Sequence, residues 1–201
     1  MRWLWVLLLV GCARGPKLPG DALRVPLVRQ ETDYSCGDAA LLSVLRYFGV
    51  EVANEQALYD PLETTEQLGT DPEPIASYAE TRGLAVESHT GWTVPQLRAS
   101  LAAGRPTIVD LQAWRDDERE WATDWDDGHY VVLIGLDDRT AYVMDPSSDD
   151  AYAWLPIDEL EKRWHDVEGR GPAMHYIERL ALAFSGKMPH PAANAPLVRL
   201  E

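Results

Sequence analysis

The 201-residue sequence is short of cysteine, of positive charge and of long apolar runs. It has only two cysteines, Cys12 and Cys36, which excludes a disulfide-stapled framework. Eighteen Lys and Arg stand against 33 Asp and Glu, a formal net charge of −15. That balance excludes nucleic acid as a partner, because phosphates demand Lys/Arg patches, and it excludes electrostatic docking on anionic lipid. It says little about fold. No apolar stretch approaches the roughly twenty residues of a membrane-spanning helix. There is no GxxxxGK phosphate loop, no internal repeat and no metal cluster, and nothing calls for a cofactor. The chain after residue 12 is long enough for one domain with a substantial core.

The chain opens "MRWLWVLLLVGCARGPKLPG". Arg2, then apolar residues from Trp3 to Val10, then small residues follow the order of a secretory signal. The alternative is a short buried helix, stopped early by Gly11, Gly15, Pro16 and Pro19. Leu9-Val10-Gly11-Cys12 resembles a bacterial lipobox, whose cysteine is acylated and becomes the mature N-terminus. The expectation is a lipoprotein-type signal over 1–12 and an exported chain anchored to the membrane through lipid on Cys12. Ala13 stands where an aspartate would retain the protein at the inner membrane, which favours the outer membrane or periplasmic face of the cell envelope. Cys36 then has no partner within the chain, and a lone thiol in an exported protein is paired between molecules or reactive. A Cys12–Cys36 disulfide and a buried, inert Cys36 are the competing readings.

Residues 13–24 read as a Pro/Gly-rich linker. A helix is predicted from Cys36 to Phe48, with Leu41, Val44, Leu45 and Phe48 at helical spacing and Gly49 as its C-terminal stop. Helical pieces follow over 51–83, then a strand at 84–90 and a helix at 93–104 opening on Thr93. "PTIVDLQAW", "GHYVVLIGLD" and "TAYVMDP" read as strands. A short helix is predicted at 156–164, 173–184 is ambiguous, and the Pro-rich tail 185–201 reads as loose. Helices first and a meandering sheet afterwards make an α+β fold with two halves across a cleft.

In that layout Cys36 stands at a helix N-terminus, where unpaired N–H groups and the helix dipole favour a thiolate. It needs a base. Among five histidines, His129 opens a strand directly after Asp-Asp-Gly, and the next strand ends in Asp145-Pro146. Antiparallel pairing of the two brings Asp145 near His129, as base and orienter. Taken singly, a histidine at a strand start is a surface or core residue and an Asp before Pro is a turn; the combination with Cys36 carries the inference. Gln30, six residues upstream of Cys36, supplies a second donor for an oxyanion beside the Cys36 backbone N–H. Alone it would be any loop glutamine.

"QETDYSCGDAA", "HYVVLIG" and "YVMDP" together resemble the papain-like cysteine peptidases that process bacteriocin and other double-glycine leader peptides, best known at the N-terminus of ABC transporters. The resemblance covers about residues 24–184 and keeps the order Gln, Cys, His, Asp. It implies a papain-like domain over 25–184, its N-terminal helical half packing the nucleophile helix on a C-terminal antiparallel sheet. It implies Cys36 as nucleophile, His129 as general base and acid, Asp145 as orienter and Gln30 in the oxyanion hole. The transporter's membrane and nucleotide-binding domains are not in this sequence. The transporter-borne peptidases face the cytosol, so the leader-peptide substrate does not carry over.

The acidic, Trp-rich stretch 113–128 reads either as a solvated loop or as a flap. In the second reading Trp114, Trp121 or Trp125 covers a substrate, and Asp116, Asp117, Glu118 and Glu120 favour basic peptides. Asp124, Asp126 and Asp127 suggest Ca²⁺, but the later Gly and Glu of an EF-hand are missing. Three functions remain open: a peptidase acting on peptide or protein through an acyl-enzyme, a papain-like acyltransferase or amidase, and a surface-anchored binding module without turnover.

Overall fold

A single sheet buried on both faces organises the chain. The computed structural model describes residues 15–115, 120–169, 174–187 and 189–201. The signal segment with Cys12 lies outside them, as do Asp116, Asp117 and Glu118. The elements run α1 (Cys36–Tyr47), α2 (Gln56–Tyr59), α3 (Pro72–Thr81), β1 (Ala85–His89), α4 (Val94–Ala102), β2 (Thr107–Gln112), β3 (Gly128–Leu136), β4 (Thr140–Met144), β5 (Tyr152–Pro156), α5 (Ile157–Arg163), β6 (His165–Glu168), β7 (His175–Glu178), β8 (Ala181–Ser185) and β9 (Leu197–Arg199). The sheet order is β1-β8-β2-β3-β4-β5-β9, and β6 pairs with β7 in a separate ribbon. Every pairing is antiparallel except β5 with β9.

The near-continuous apolar runs of β2 and β3 follow from coverage of both faces. Val132 and Ile134 of β3 join Ile108, Met144 and Phe184 against Leu41, Val44 and Leu45 of α1. Their neighbours Val131 and Leu133 point the other way and pack with Leu97 of α4, Leu160 of α5, Trp92 and Trp164. Alternation with period two thus feeds two cores from one strand. The covering helices are fixed by local chemistry. Gly49 takes φ of +70° after α1, a left-handed conformation that costs glycine little, and the Val50 N–H returns to the Leu45 carbonyl at 2.9 Å. The Thr93–Gln96 capping box starts α4, with the Thr93 N–H donating to Gln96 Oε1 at 3.0 Å.

The helices and strands read from periodicity are present, with ends shifted by a residue or two. Three expectations change. The ambiguous stretch 173–184 is strand, as β7 and β8. The tail is not loose: Leu200 is buried, β9 pairs with β5, and the His190 and Ala192 N–H groups donate to the carbonyls of Tyr47 and Arg24. The linker also joins the domain at its end, where the Leu23 N–H donates to the Ile134 carbonyl at 2.8 Å and Ala22 is buried. Proline content suggested looseness, but a Pro-rich segment can still dock through the residues between its prolines. Leu200→Ala is expected to lower the unfolding free energy by about 2 kcal/mol, the usual range for a large-to-small change in a core. Denaturant titration checks this; an unchanged midpoint would show that the tail contributes nothing.

Candidate active site

Helix α1 begins at Cys36 under tight packing. A Cβ at Gly37 would stand 3.1 Å from Thr70 Cβ and 3.2 Å from Ile75 and Tyr130, so glycine lets the helix start press against β3 and the 64–70 loop. The preceding turn is held by Ser35, fully buried, whose hydroxyl accepts the Thr32 N–H at 3.1 Å. One turn into the helix, buried Asp38 accepts hydroxyl hydrogens from Thr64 and Thr70 at 2.8 to 3.0 Å. Burial lifts its pKa to about 6 despite those bonds. Cys36 itself is half-buried and a free thiol among the described residues, which do not include Cys12.

Strands β3 and β4 pair with Val132 opposite Met144, which puts Asp145, just past β4, diagonally across from His129 near the start of β3. The His129 Nε2–H donates to Asp145 Oδ1 at 2.7 Å, and both side chains are buried. The Asp145-Pro-Ser-Ser turn completes the carboxylate's shell, through the Ser147 N–H at 2.9 Å and the Ser147 and Ser148 hydroxyls at 2.8 Å. Burial opposes charge on both groups. The mutual hydrogen bond and attraction outweigh it, together with the serine donors for Asp145 and the neighbouring Cys36 for His129. Asp145 falls to about 2 and His129 rises to about 9. With Nε2 committed to Asp145, Nδ1 is the nitrogen left to face Cys36, whose proximity helps raise the His129 pKa; Nδ1 makes no hydrogen bond among the described residues.

Gln30 lines the same cavity as Cys36. Its Nε2 donates one hydrogen to the Thr32 carbonyl at 2.7 Å, leaving the second N–H uncommitted. Its backbone N–H donates to the Pro146 carbonyl at 2.9 Å, which couples the glutamine to the turn that carries Asp145. The four residues singled out from the sequence therefore converge, although they span 115 positions, from 30 to 145. The three tryptophans separate. Trp114, at a left-handed φ of +47°, sets its ring centroid 4.5 Å from that of His129 and lines the cavity. Trp125 also lines it, its ring tilted against that of His165 with centroids 4.1 Å apart and edge-on to Tyr176. Trp121 does not line it; its ring packs under the Arg163 guanidinium at 3.7 Å, on the side of α5. Among the described residues no three His, Cys, Asp or Glu side chains are arranged to hold a metal ion, Asp124, Asp126 and Asp127 included.

The cavity holds about 800 Å³ and contains a feature that the sequence reading missed. Asp110 of β2 lies cross-strand from Tyr130, and Asp166 and Glu168 of β6 stand beside it. Tyr130 donates to Glu168 at 2.9 Å, and Gln112 Nε2 donates to Asp166 at 2.9 Å. One signal was available, a carboxylate between the apolar residues of "IVDL" in β2. The residues of β6 gave none, because the strand is short and follows directly on a helix.

The pKa shifts define where the His129–Asp145 pair stabilises the fold. Asp145 is depressed, so its contribution is present above its ordinary value of 3.8 and is lost as pH falls through about 2. His129 is raised, so its contribution is full below 6.5 and is lost as pH rises through about 9. The stability difference between the natural chain and Asp145→Asn should be largest between these limits and shrink above pH 9. A difference independent of pH from 6 to 10 would show that the pair is not ionised.

The family model described as the Peptidase_C39 like family matches residues 22–171. Uncharacterized proteins of Methanothermobacter marburgensis and Methanothermobacter thermautotrophicus are each 31% identical over 121 residues, 60% of this chain and 71% of theirs. Among solved structures, a candidate C39-like peptidase from Bacillus anthracis has a TM-score of 0.60 at 20% identity, covering 84% of this chain and 98% of that one. The peptidase domain of Streptococcus ComA, a bifunctional ABC transporter of a quorum-sensing pathway, gives 0.58 at 20%, covering 80% and 98%. A double-glycine-motif protease from an AMS/PCAT transporter, bound to its leader peptide, gives 0.53 at 20%, covering 83% and 94%. These likenesses establish the papain-like α+β fold of C39 peptidases. With three quarters of its length matched by the family model, the chain belongs to the Peptidase_C39 like family.

Proposed function

We propose that this protein is an exported, lipid-anchored cysteine peptidase that cleaves peptide or protein substrates through a thioacyl-enzyme. The observation that carries the reading is His129, buried between Cys36 and a carboxylate that accepts its Nε2–H. The Cys36 proton passes to Nδ1 ahead of acylation, and the sulfur of the resulting thiolate–imidazolium pair attacks the scissile carbonyl carbon. The carbonyl oxygen becomes an oxyanion, with the Cys36 N–H, first in its helix, and the free Gln30 N–H as its donors. Nδ1–H then protonates the departing amine as the C–N bond breaks. In deacylation His129 takes a proton from water, the hydroxide attacks the thioester carbonyl, and the thiol is restored as the acid leaves. Asp145 holds the ring in the orientation that presents Nδ1 to sulfur throughout. Trp114 shields the ring from water on one side, which strengthens the His129–Asp145 bond.

Export and anchoring rest on the apolar N-terminal run and the lipobox-like Leu9-Val10-Gly11-Cys12. Mass spectrometry of the mature N-terminus is expected to find an acylated Cys12, and Cys12→Ser should move the protein from the membrane to the soluble fraction. Recovery of an intact, unmodified N-terminus would overturn the anchor.

The peptidase reading is tested with a peptide library and iodoacetamide labelling of Cys36. Cys36→Ala should abolish cleavage, and His129→Ala should lower kcat/KM by at least about three orders of magnitude and slow labelling, since the two act as a unit. Acyl transfer to an added amine without hydrolysis would identify a transferase instead. Labelling that ignores His129, with no turnover, would leave a binding module.

A further inference from the structure

We infer that the cavity beside Cys36 seats a cationic side chain of the substrate, the guanidinium of Arg or the ammonium of Lys, with Asp166 and Glu168 as specificity-determining residues and Asp110 behind them. The inference rests on the peptidase reading for its substrate class. Nine of the residues lining the cavity are Asp or Glu. Among the described residues the lining has a single Lys or Arg, Arg29, and that guanidinium is already paired with Asp149.

Asp110 points to a ligand independently of that count. It is 1% exposed and lines the cavity, and among the described residues no N–H and no Ser, Thr or Tyr hydroxyl donates to either carboxyl oxygen; the side chain within hydrogen-bond reach is another acid, Asp166. Buried carboxyls are normally satisfied by donors or paired with a cation. Here the nearest charged neighbours are themselves acids, Asp166 and Glu168, together with Cys36. Burial, reinforced by those acids, pushes Asp110 well above the carboxylate range. Burial likewise raises Glu168 to about 8, with Asp71 and Asp166 adding to it. The group therefore retains protons that a cation would replace. A guanidinium or ammonium entering the cavity supplies N–H donors in place of those retained protons. It also relieves the repulsion between Asp110 and a thiolate on Cys36. The rim suits the rest of such a side chain: Leu68 and Met174, 47% and 56% exposed, line the entrance and offer apolar contact to an aliphatic stem.

The test compares short peptides carrying Arg with the same peptides carrying neutral, near-isosteric citrulline, the position being scanned along the sequence. Binding is measured on detergent-solubilised full-length Cys36→Ala, and kcat/KM on the natural chain. At one position Arg should be preferred by about tenfold or more, the scale expected for charge-assisted hydrogen bonds. The paired substitution Asp166→Asn with Glu168→Gln keeps the oxygens that accept from Gln112 and Tyr130. It should bring the ratio close to one. Asp110→Asn, read the same way, serves if the double variant does not fold. Equal use of Arg and citrulline by the natural pocket, or a preference that survives these substitutions, would overturn the assignment. Cleavage without a charge preference defeats this inference and leaves the peptidase. A charge preference in binding without cleavage does the reverse.

Discussion

The hydrogen bond from His129 to Asp145 is the interaction on which the rest of the site depends. It is buried, so neither partner can exchange the other for water, and loss of one would leave an unpaired charge in a poorly polarisable interior. Its geometry comes from the β3–β4 pairing, which sets the two residues on neighbouring strands in a fixed register. The turn after β4 turns two serines back on the same carboxylate. That turn also anchors Gln30 through the Pro146 carbonyl, so the proposed base and the proposed oxyanion donor share one support. A displacement of the turn would disturb both together.

Around this pair the site is rich in acids, which fits the acidic composition of the chain but places carboxyl groups where their ionisation is costly. Asp38 below the helix start, Asp110 on the cavity floor and Glu168 on its wall all have raised pKa values, with burial the first cause in each case. Only Asp38 is satisfied by two hydroxyl donors and serves as an internal brace for the 64–70 loop. The others face the cavity. The His129 imidazolium is the compensating positive charge nearest the thiol, and it is already shared with Asp145. A cationic ligand would complete a balance that the described side chains leave open.

The fold was legible wherever periodicity was long enough to read. Helix α1 and strands β2 to β4 carry their period in many apolar residues, and glycine or proline marks their ends. β6 and β9, of four and three residues, are too short to show a period, and β9 forms because β5 offers a free edge. Proline-rich composition at both ends suggested loose segments, but docking there is decided by a few contacts between distant residues.

Taken by itself, the amino-acid sequence determined local matters: a thiol at the first position of an amphipathic helix, a histidine opening a strand, and an aspartate closing the next one. It also carried their order, with Gln30 upstream, and that order made the site recognisable. Convergence is a property of strand register and helix packing, so the tertiary structure alone decided which of the histidines meets the thiol. It brought Trp114 onto His129 and sent Trp121 to Arg163, though both come from one short stretch of chain. The grouping of Asp110 with Asp166 and Glu168 was likewise invisible in one dimension. Asp110 lies more than fifty positions from the other two, and electrostatic coupling depends on distance through space rather than along the chain.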